Sequence, residues 1–171
     1  MPDINYITIN GLERLKRELE WLQKVERPRI TAEVSHAASL GDRSENAEYI
    51  YGKKRLREID RRMHFLLGRL ENVQAIAPGK ILSEKVVIGA TVVLSDTNGE
   101  EKTWRIYGED EVDIDAGILS WKAPLSRSLL GKSVGDAAKY ETPSGEREVE
   151  ILGVRYDTQA PLPPNEHTLP S

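Results

Sequence analysis

Two apolar stripes at helical spacing, separated by the short stretch Leu40–Glu48, constrain this chain more than any other feature. Downstream, Leu56, Ile59, Met63, Leu66, Leu70 and Val73 alternate spacings of three and four, the pattern of a packed helical seam. Tyr49 and Gly52 extend it back toward the break. Upstream, Leu12, Leu15, Leu19 and Leu22 start an equivalent stripe, which resumes after Pro28 as Ile30, Val34 and Ala37 or Ala38. The step from Leu22 to Ile30 slips the register. Pro28 has no N–H to donate and crowds the preceding turn, so a kink or short interruption is expected there. Thr8 or Asn10 is the expected cap of the first helix, with Glu13 as the capping-box partner of Asn10. Two helices joined by a few residues must lie antiparallel, so residues 1–78 are expected to form a coiled-coil hairpin. Each arm of about 30 residues, rising 1.5 Å per residue, reaches roughly 45 Å.

The break crowds carboxylates into the far end of that hairpin. Asp42 and Glu45 are three residues apart, which places them on one face if the second helix starts there, and Glu48 continues the face one turn on. Carboxylates so spaced suit a hard cation such as Mg²⁺, held weakly because the ligand cage is incomplete. The same spacing equally describes an acidic capping box, with Asp42 as N-cap and Glu45 folded back onto backbone N–H groups. Spacing alone leaves both roles open.

Charge divides the chain. Residues 1–78 hold 14 Lys+Arg against 12 Asp+Glu, whereas residues 79–171 hold 10 against 16. Basic residues gather just behind the acidic tip. Lys54, Arg57 and Arg61 share one flank of the second helix with Lys53 close by, while Arg55, Arg62 and Arg69 recur at sevens on another. Such a stripe suits a phosphate backbone, or it is a solvated face balanced by Glu58 and Asp60. The chain has no cysteine, which excludes disulfides and cysteine-based metal sites or nucleophiles, and it has no apolar run near twenty residues. A cytoplasmic monomer without membrane attachment is expected. His36 and His64 have no metal-ligand partner at a suitable spacing.

After Pro78-Gly79 the texture becomes strand-like. Val86–Leu94 and Thr103–Tyr107 flank an Asn98-Gly99 turn, a strong hairpin signal. Ile118–Trp121 suits a short strand and Pro124–Leu130 a short helix closed by Gly131. Ala137–Glu141 and Arg147–Tyr156 bracket a turn at Pro143-Ser144-Gly145. Residues 79–156 are therefore expected to form a mainly antiparallel α+β domain, and residues 157–171, rich in proline and without apolar periodicity, a flexible tail. The fold class is α+β in two domains.

Gly41-Asp42-Arg43-Ser44-Glu45-Asn46-Ala47-Glu48-Tyr49, followed by Lys53-Lys54-Arg55-Leu56-Arg57-Glu58-Ile59-Asp60-Arg61-Arg62, closely resembles the bacterial Gre-type transcript cleavage factors, and within them the GreB branch. Glu26-Arg27-Pro28 and Ala37-Ala38-Ser39-Leu40 are similar to it as well. In the second half, Ala123-Pro124, Ser128-Leu129-Leu130-Gly131-Lys132 and Val134-Gly135-Asp136 resemble the family's FKBP-like domain. The resemblance implies a transcription elongation factor whose hairpin enters the secondary channel of a backtracked RNA polymerase. It implies that Asp42 and Glu45 act at the polymerase centre on a shared Mg²⁺, with Ser44, Asn46 and Glu48 in support. On the same account Lys53, Lys54, Arg57 and Arg61 meet the displaced 3′ segment of the nascent RNA, and the polymerase, not this chain, is the enzyme. Other classes are a channel-binding inhibitor that does not cleave, or a coiled-coil adaptor or chaperone with a peptide-binding module. The intact Asp42 and Glu45 argue against the inhibitor. Trp104 and Trp121 suit a core as readily as a pocket wall.

Overall fold

The computed structural model describes residues 3–41 and 46–167. The chain opens with a strand, β1 (Asn5–Thr8), and runs directly into α1 (Ile9–Trp21). Thr8 caps α1, its Oγ1 accepting the Gly11 N–H at 3.2 Å. Asn10 lies inside the helix, so the alternative cap with Glu13 does not form.

The register slip has a concrete form. Leu22–Glu26 is a π-helical turn and α2 (Arg27–Ser39) follows it, with Pro28 in its first turn. Pro28 cannot donate to the carbonyl four residues back, and the widened turn relieves its ring, so Arg27 N–H reaches the Leu22 carbonyl instead. The buried positions Leu15, Leu22, Ile30 and Ala37 are spaced seven, eight and seven apart. One extra residue in the wide turn keeps all four on one face.

The return helix α3 (Ala47–Glu71) lies antiparallel to this arm, as the pairing of Arg27 with Asp60 and of Glu18 with Arg62 requires. Ile59 and Leu66 are fully buried between Leu15, Leu22 and Ile30, with Leu12, Leu19, Val34, Leu56, Met63 and Leu70 packed around them. Val73 packs on the same cluster, but as the first residue of β2 (Val73–Ile76) rather than as a helical position. β1 and β2 pair in parallel, Asn5 opposite Val73 through Thr8 opposite Ile76, and close the base of the helical part. Both strands are four residues long and were not expected from the sequence, because so short a run shows no period.

The second half is built on β3 (Thr91–Asp96), β4 (Glu101–Tyr107), β5 (Ile118–Ser120), α4 (Pro124–Leu129), β6 (Ala137–Thr142) and β7 (Gly145–Arg155). The strand order is β5-β4-β3-β7-β6. At the β3–β4 turn Gly99 sits at φ +81, and Asp96 Oδ1 accepts the N–H groups of Asn98 and Glu100 at 2.8 and 3.0 Å. The sheet is mainly antiparallel, as expected, but mixed, since β4 and β5 run parallel. Residues 108–117 carry the chain back past β4 before β5 begins, and a two-residue hairpin cannot produce that arrangement. Val86–Ala90, expected as the start of β3, is a connection instead, with Val86 and Ala90 buried and Val87 exposed. Val86, Val92, Leu94, Trp104, Ile106, Leu129, Val149 and Ile151 form the second core, so Trp104 is a core residue.

The two halves meet through the loop after β4. Glu111, 1% exposed, accepts the backbone N–H groups of Thr8 at 3.0 Å and Gly108 at 2.8 Å, and also bonds the Thr8 hydroxyl. Its burial pushes the carboxyl pKa up. Asp110 accepts from Asn5 at 3.1 Å and from Arg69 at 2.9 Å. Tyr6 meets Trp121 edge to face at 5.5 Å.

Residues 157–167, expected as a flexible tail, lie along α1. Asn10 donates its side-chain amide to the Ala160 carbonyl at 2.7 Å, Arg17 reaches the Pro163 carbonyl at 2.6 Å, and His167 stacks on Trp21 at 5.1 Å. Proline-rich segments show no apolar period, yet their free carbonyls are ready acceptors for the side chains of a neighbouring helix.

Candidate functional site: the tip and flank of the helical arm

Asp42, Ser44 and Glu45 lie outside the described residues, together with Arg43. What surrounds them is described. α2 ends at Leu40, whose N–H returns to the Ala37 carbonyl at 3.1 Å, and Gly41 follows at φ +141. Across the break, Asn46 caps α3: its Oδ1 accepts the Tyr49 N–H at 3.2 Å, and its Nδ2 donates to the Ala37 carbonyl at 2.7 Å. One side chain thus starts α3 and ties it to the end of α2. The N-cap of α3 is Asn46 and the helix begins at Ala47.

Glu48 is exposed in that first turn, where an acid complements the helix dipole. At about 100° per residue it projects roughly opposite the centre of the arc holding Lys53, Lys54, Arg57 and Arg61. Acid and base thus occupy different sides of α3. Among the described residues no group of three or more His, Cys, Asp or Glu is placed to hold a metal ion.

The two basic stripes of α3 have opposite fates. Arg62 pairs with Glu18, Arg55 lies 3.5 Å from Glu26 and from Glu58, and Arg69 lies 2.9 Å from Asp110 and 3.7 Å from Glu109. Glu18 and Glu26 are only 5% and 6% exposed, so Arg62 and Arg55 neutralise carboxylates buried in the seam, while Arg69 is held by the loop after β4. The hydrogen bond to Glu18 holds the Arg62 guanidinium above its ordinary pKa. Lys53, Lys54, Arg57 and Arg61 are all exposed and make no ion pair with any described residue. The acids expected to balance them are committed elsewhere: Glu58 to Arg55, and Asp60 to Arg27 at 2.8 Å, a hydrogen bond that lowers the Asp60 pKa.

Glu18 and Glu26 belong to the site's framework although the sequence did not single them out. A signal was present: acids in an apolar stripe, opposite arginines recurring at sevens.

An N-terminal model of transcription elongation factors matches residues 5–75, and the C-terminal GreA/GreB model of such factors matches residues 81–156. The Transcription elongation factor GreB of Pasteurella multocida is 53% identical over 157 residues, covering 92% of this chain and 99% of that protein. The GreB of Haemophilus ducreyi is 48% identical over 160 residues, covering 94% and 99%. The solved structure of GreA factor homolog 1 from Thermus thermophilus is 23% identical, covers 90% of this chain and 99% of its own, and superposes with a TM-score of 0.41. The chain belongs to the GreA/GreB family of transcription elongation factors.

Proposed function

We propose that this chain rescues arrested RNA polymerase by stimulating cleavage of backtracked nascent RNA. The helical arm, acting as a coiled-coil hairpin, enters the secondary channel and delivers the Leu40–Glu48 tip to the polymerase's catalytic centre. The observation that carries this reading is the cationic flank of Lys53, Lys54, Arg57 and Arg61, exposed and without an ion-pair partner among the described residues, which begins about one and a half turns past Glu48. The three arginines of the stripe beside it are consumed by Glu26, Glu18 and Asp110. An exposed arc of four cations running away from an acidic tip suits an extruded RNA backbone, which it would hold without reading sequence.

At the tip, Asp42 and Glu45 supply the carboxylate oxygens that Mg²⁺ prefers, and too few of them to hold it without the polymerase's own ligands. The cation would supply charge neutralisation and an activated water for internal hydrolysis of the RNA phosphodiester. Asp42 and Glu45 would orient that water, with Ser44 and Glu48 in support and Asn46 holding the turn. Catalysis belongs to the polymerase; this chain completes the site. An FKBP-like second domain would dock outside the channel, and the factor works as a cytoplasmic monomer.

The decisive assay uses backtracked elongation complexes with 3′-labelled RNA and Mg²⁺. Asp42→Asn or Glu45→Gln should lose most of the stimulated cleavage while still competing with wild type for polymerase. Cleavage at the wild-type rate by both variants would remove the tip from the mechanism.

A further inference from the structure

The segment past residue 156, where the family match ends, makes a series of contacts that no role in cleavage accounts for. Gln159 is inserted at the junction of the two halves. Its Nε2 donates to Thr8 Oγ1 at 3.0 Å, and its Oε1 accepts the Asn10 N–H at 3.2 Å, one of the first-turn donors that a helix leaves unpaired. Thr8 is thereby bound on three sides: to Gly11 as the cap of α1, to Glu111 from the loop after β4, and to Gln159. Behind it, Thr158 presses against Gly79, where even a β-carbon would collide with it.

From there the segment climbs the helix. Asn10 holds Ala160, Arg17 holds the carbonyls of Pro163 at 2.6 Å and Glu166 at 3.4 Å, Arg14 lies 3.8 Å from the Glu166 carboxylate, and the His167 ring lies 14° from parallel with Trp21. Thr8 to Trp21 spans 13 residues of rise, about 20 Å.

We infer that residues 158–167 are a brace that sets the angle between the helical arm and the sheet domain, and hence where the tip lies. The leverage follows from lengths. The junction network of Glu109, Asp110, Glu111 and Arg69 sits at the base, where a hinge rotation of about 10° shifts its own atoms little but displaces a tip about 45 Å away by roughly 8 Å. A second attachment about 20 Å up the shaft opposes that rotation with a long lever arm. The brace is anchored to the sheet domain, since β7 leads into it and Asp157 pairs with Arg155 at 3.0 Å and Arg105 at 3.9 Å. Prolines at 161, 163 and 164 restrict its own backbone, so little of a hinge motion can be absorbed within it.

The absence of cysteine allows a direct test. Spin labels at Ser35→Cys on α2 and Ser144→Cys in the β6–β7 turn, both exposed, report the distance between arm and sheet. The full chain should give one narrow distance distribution, and a chain ending at Asp157 should broaden it at least about two-fold while far-ultraviolet circular dichroism holds its helix content. A second variant keeps the chain entire: Gln159→Ala, Glu166→Ala and His167→Ala together should give an intermediate width. A wild-type width in either variant overturns the inference. The measurement uses no polymerase, so its outcome is independent of the cleavage reading.

Discussion

Gly52 and Gly68 lie on the same helix and should respond oppositely to the same substitution. Gly52 is buried on α3 against Val34 of α2, and a β-carbon there would come inside 3.0 Å of a Val34 methyl. Gly68 is exposed on the same helix with nothing within 4 Å of such a carbon. Alanine in place of a helical glycine stabilises by about 1 kcal/mol through backbone entropy. Gly68→Ala should deliver that gain, about 2–4 °C in Tm for a chain of this size. At Gly52 the same gain is set against overpacking of a well-fitted contact, a cost of about 1–3 kcal/mol. Val34 is β-branched, with few rotamers into which to retreat. Gly52→Ala should therefore be neutral to about 2 kcal/mol destabilising. Shortening the obstacle restores the gain: in a Val34→Ala background Gly52→Ala should stabilise, giving a coupling of about 1–3 kcal/mol in a double-mutant cycle. Urea unfolding of the five chains measures all of these. Equal stabilisation by Gly52→Ala and Gly68→Ala would show that α2 and α3 do not approach closely beside the tip.

Glu111 makes stability depend on pH with a definite sign. Its folded-state pKa is raised by burial, so the stability it permits is complete below its ordinary value and declines as pH rises through the raised one. Asp60 and Glu109, held low by hydrogen bonds from Arg27 and Lys122, act oppositely and lose their contribution as pH falls. Glu111→Gln should thus gain on wild type as pH climbs above the ordinary carboxyl value, and unfolding stabilities that stay parallel as pH rises would contradict the assignment. For the cationic flank, Lys54→Glu with Arg57→Glu should reduce the log–log salt slope of binding to long extruded RNA by at least roughly 1.4, two single-strand phosphate contacts, with folding intact. Arg62→Glu should instead unfold the arm, because it strands buried Glu18; unfolding and RNA titrations on both variants separate the two stripes.

Periodicity along the chain determined the two long helices, the seam through Ile59 and Leu66, the interruption before Pro28, and the turns at Asn98-Gly99 and Pro143-Ser144. These are local consequences of side-chain spacing and backbone sterics, and neighbours within a few residues suffice to specify them. Resemblance in the stretch from Gly41 to Arg62 pointed to the family. Tertiary structure alone decided which arginines are spent: Arg55, Arg62 and Arg69 differ from Lys54, Arg57 and Arg61 only in which side of α3 meets Glu26, Glu18 and Asp110. It also decided the parallel strands at the base, the mixed sheet, the capping of α3 by Asn46, and the course of residues 157–167. Thr8 finds Glu111 across 103 residues and Asn10 finds Ala160 across 150. No period or propensity encodes such pairings, because each exists only once both cores have formed and brought distant polar groups within hydrogen-bonding distance.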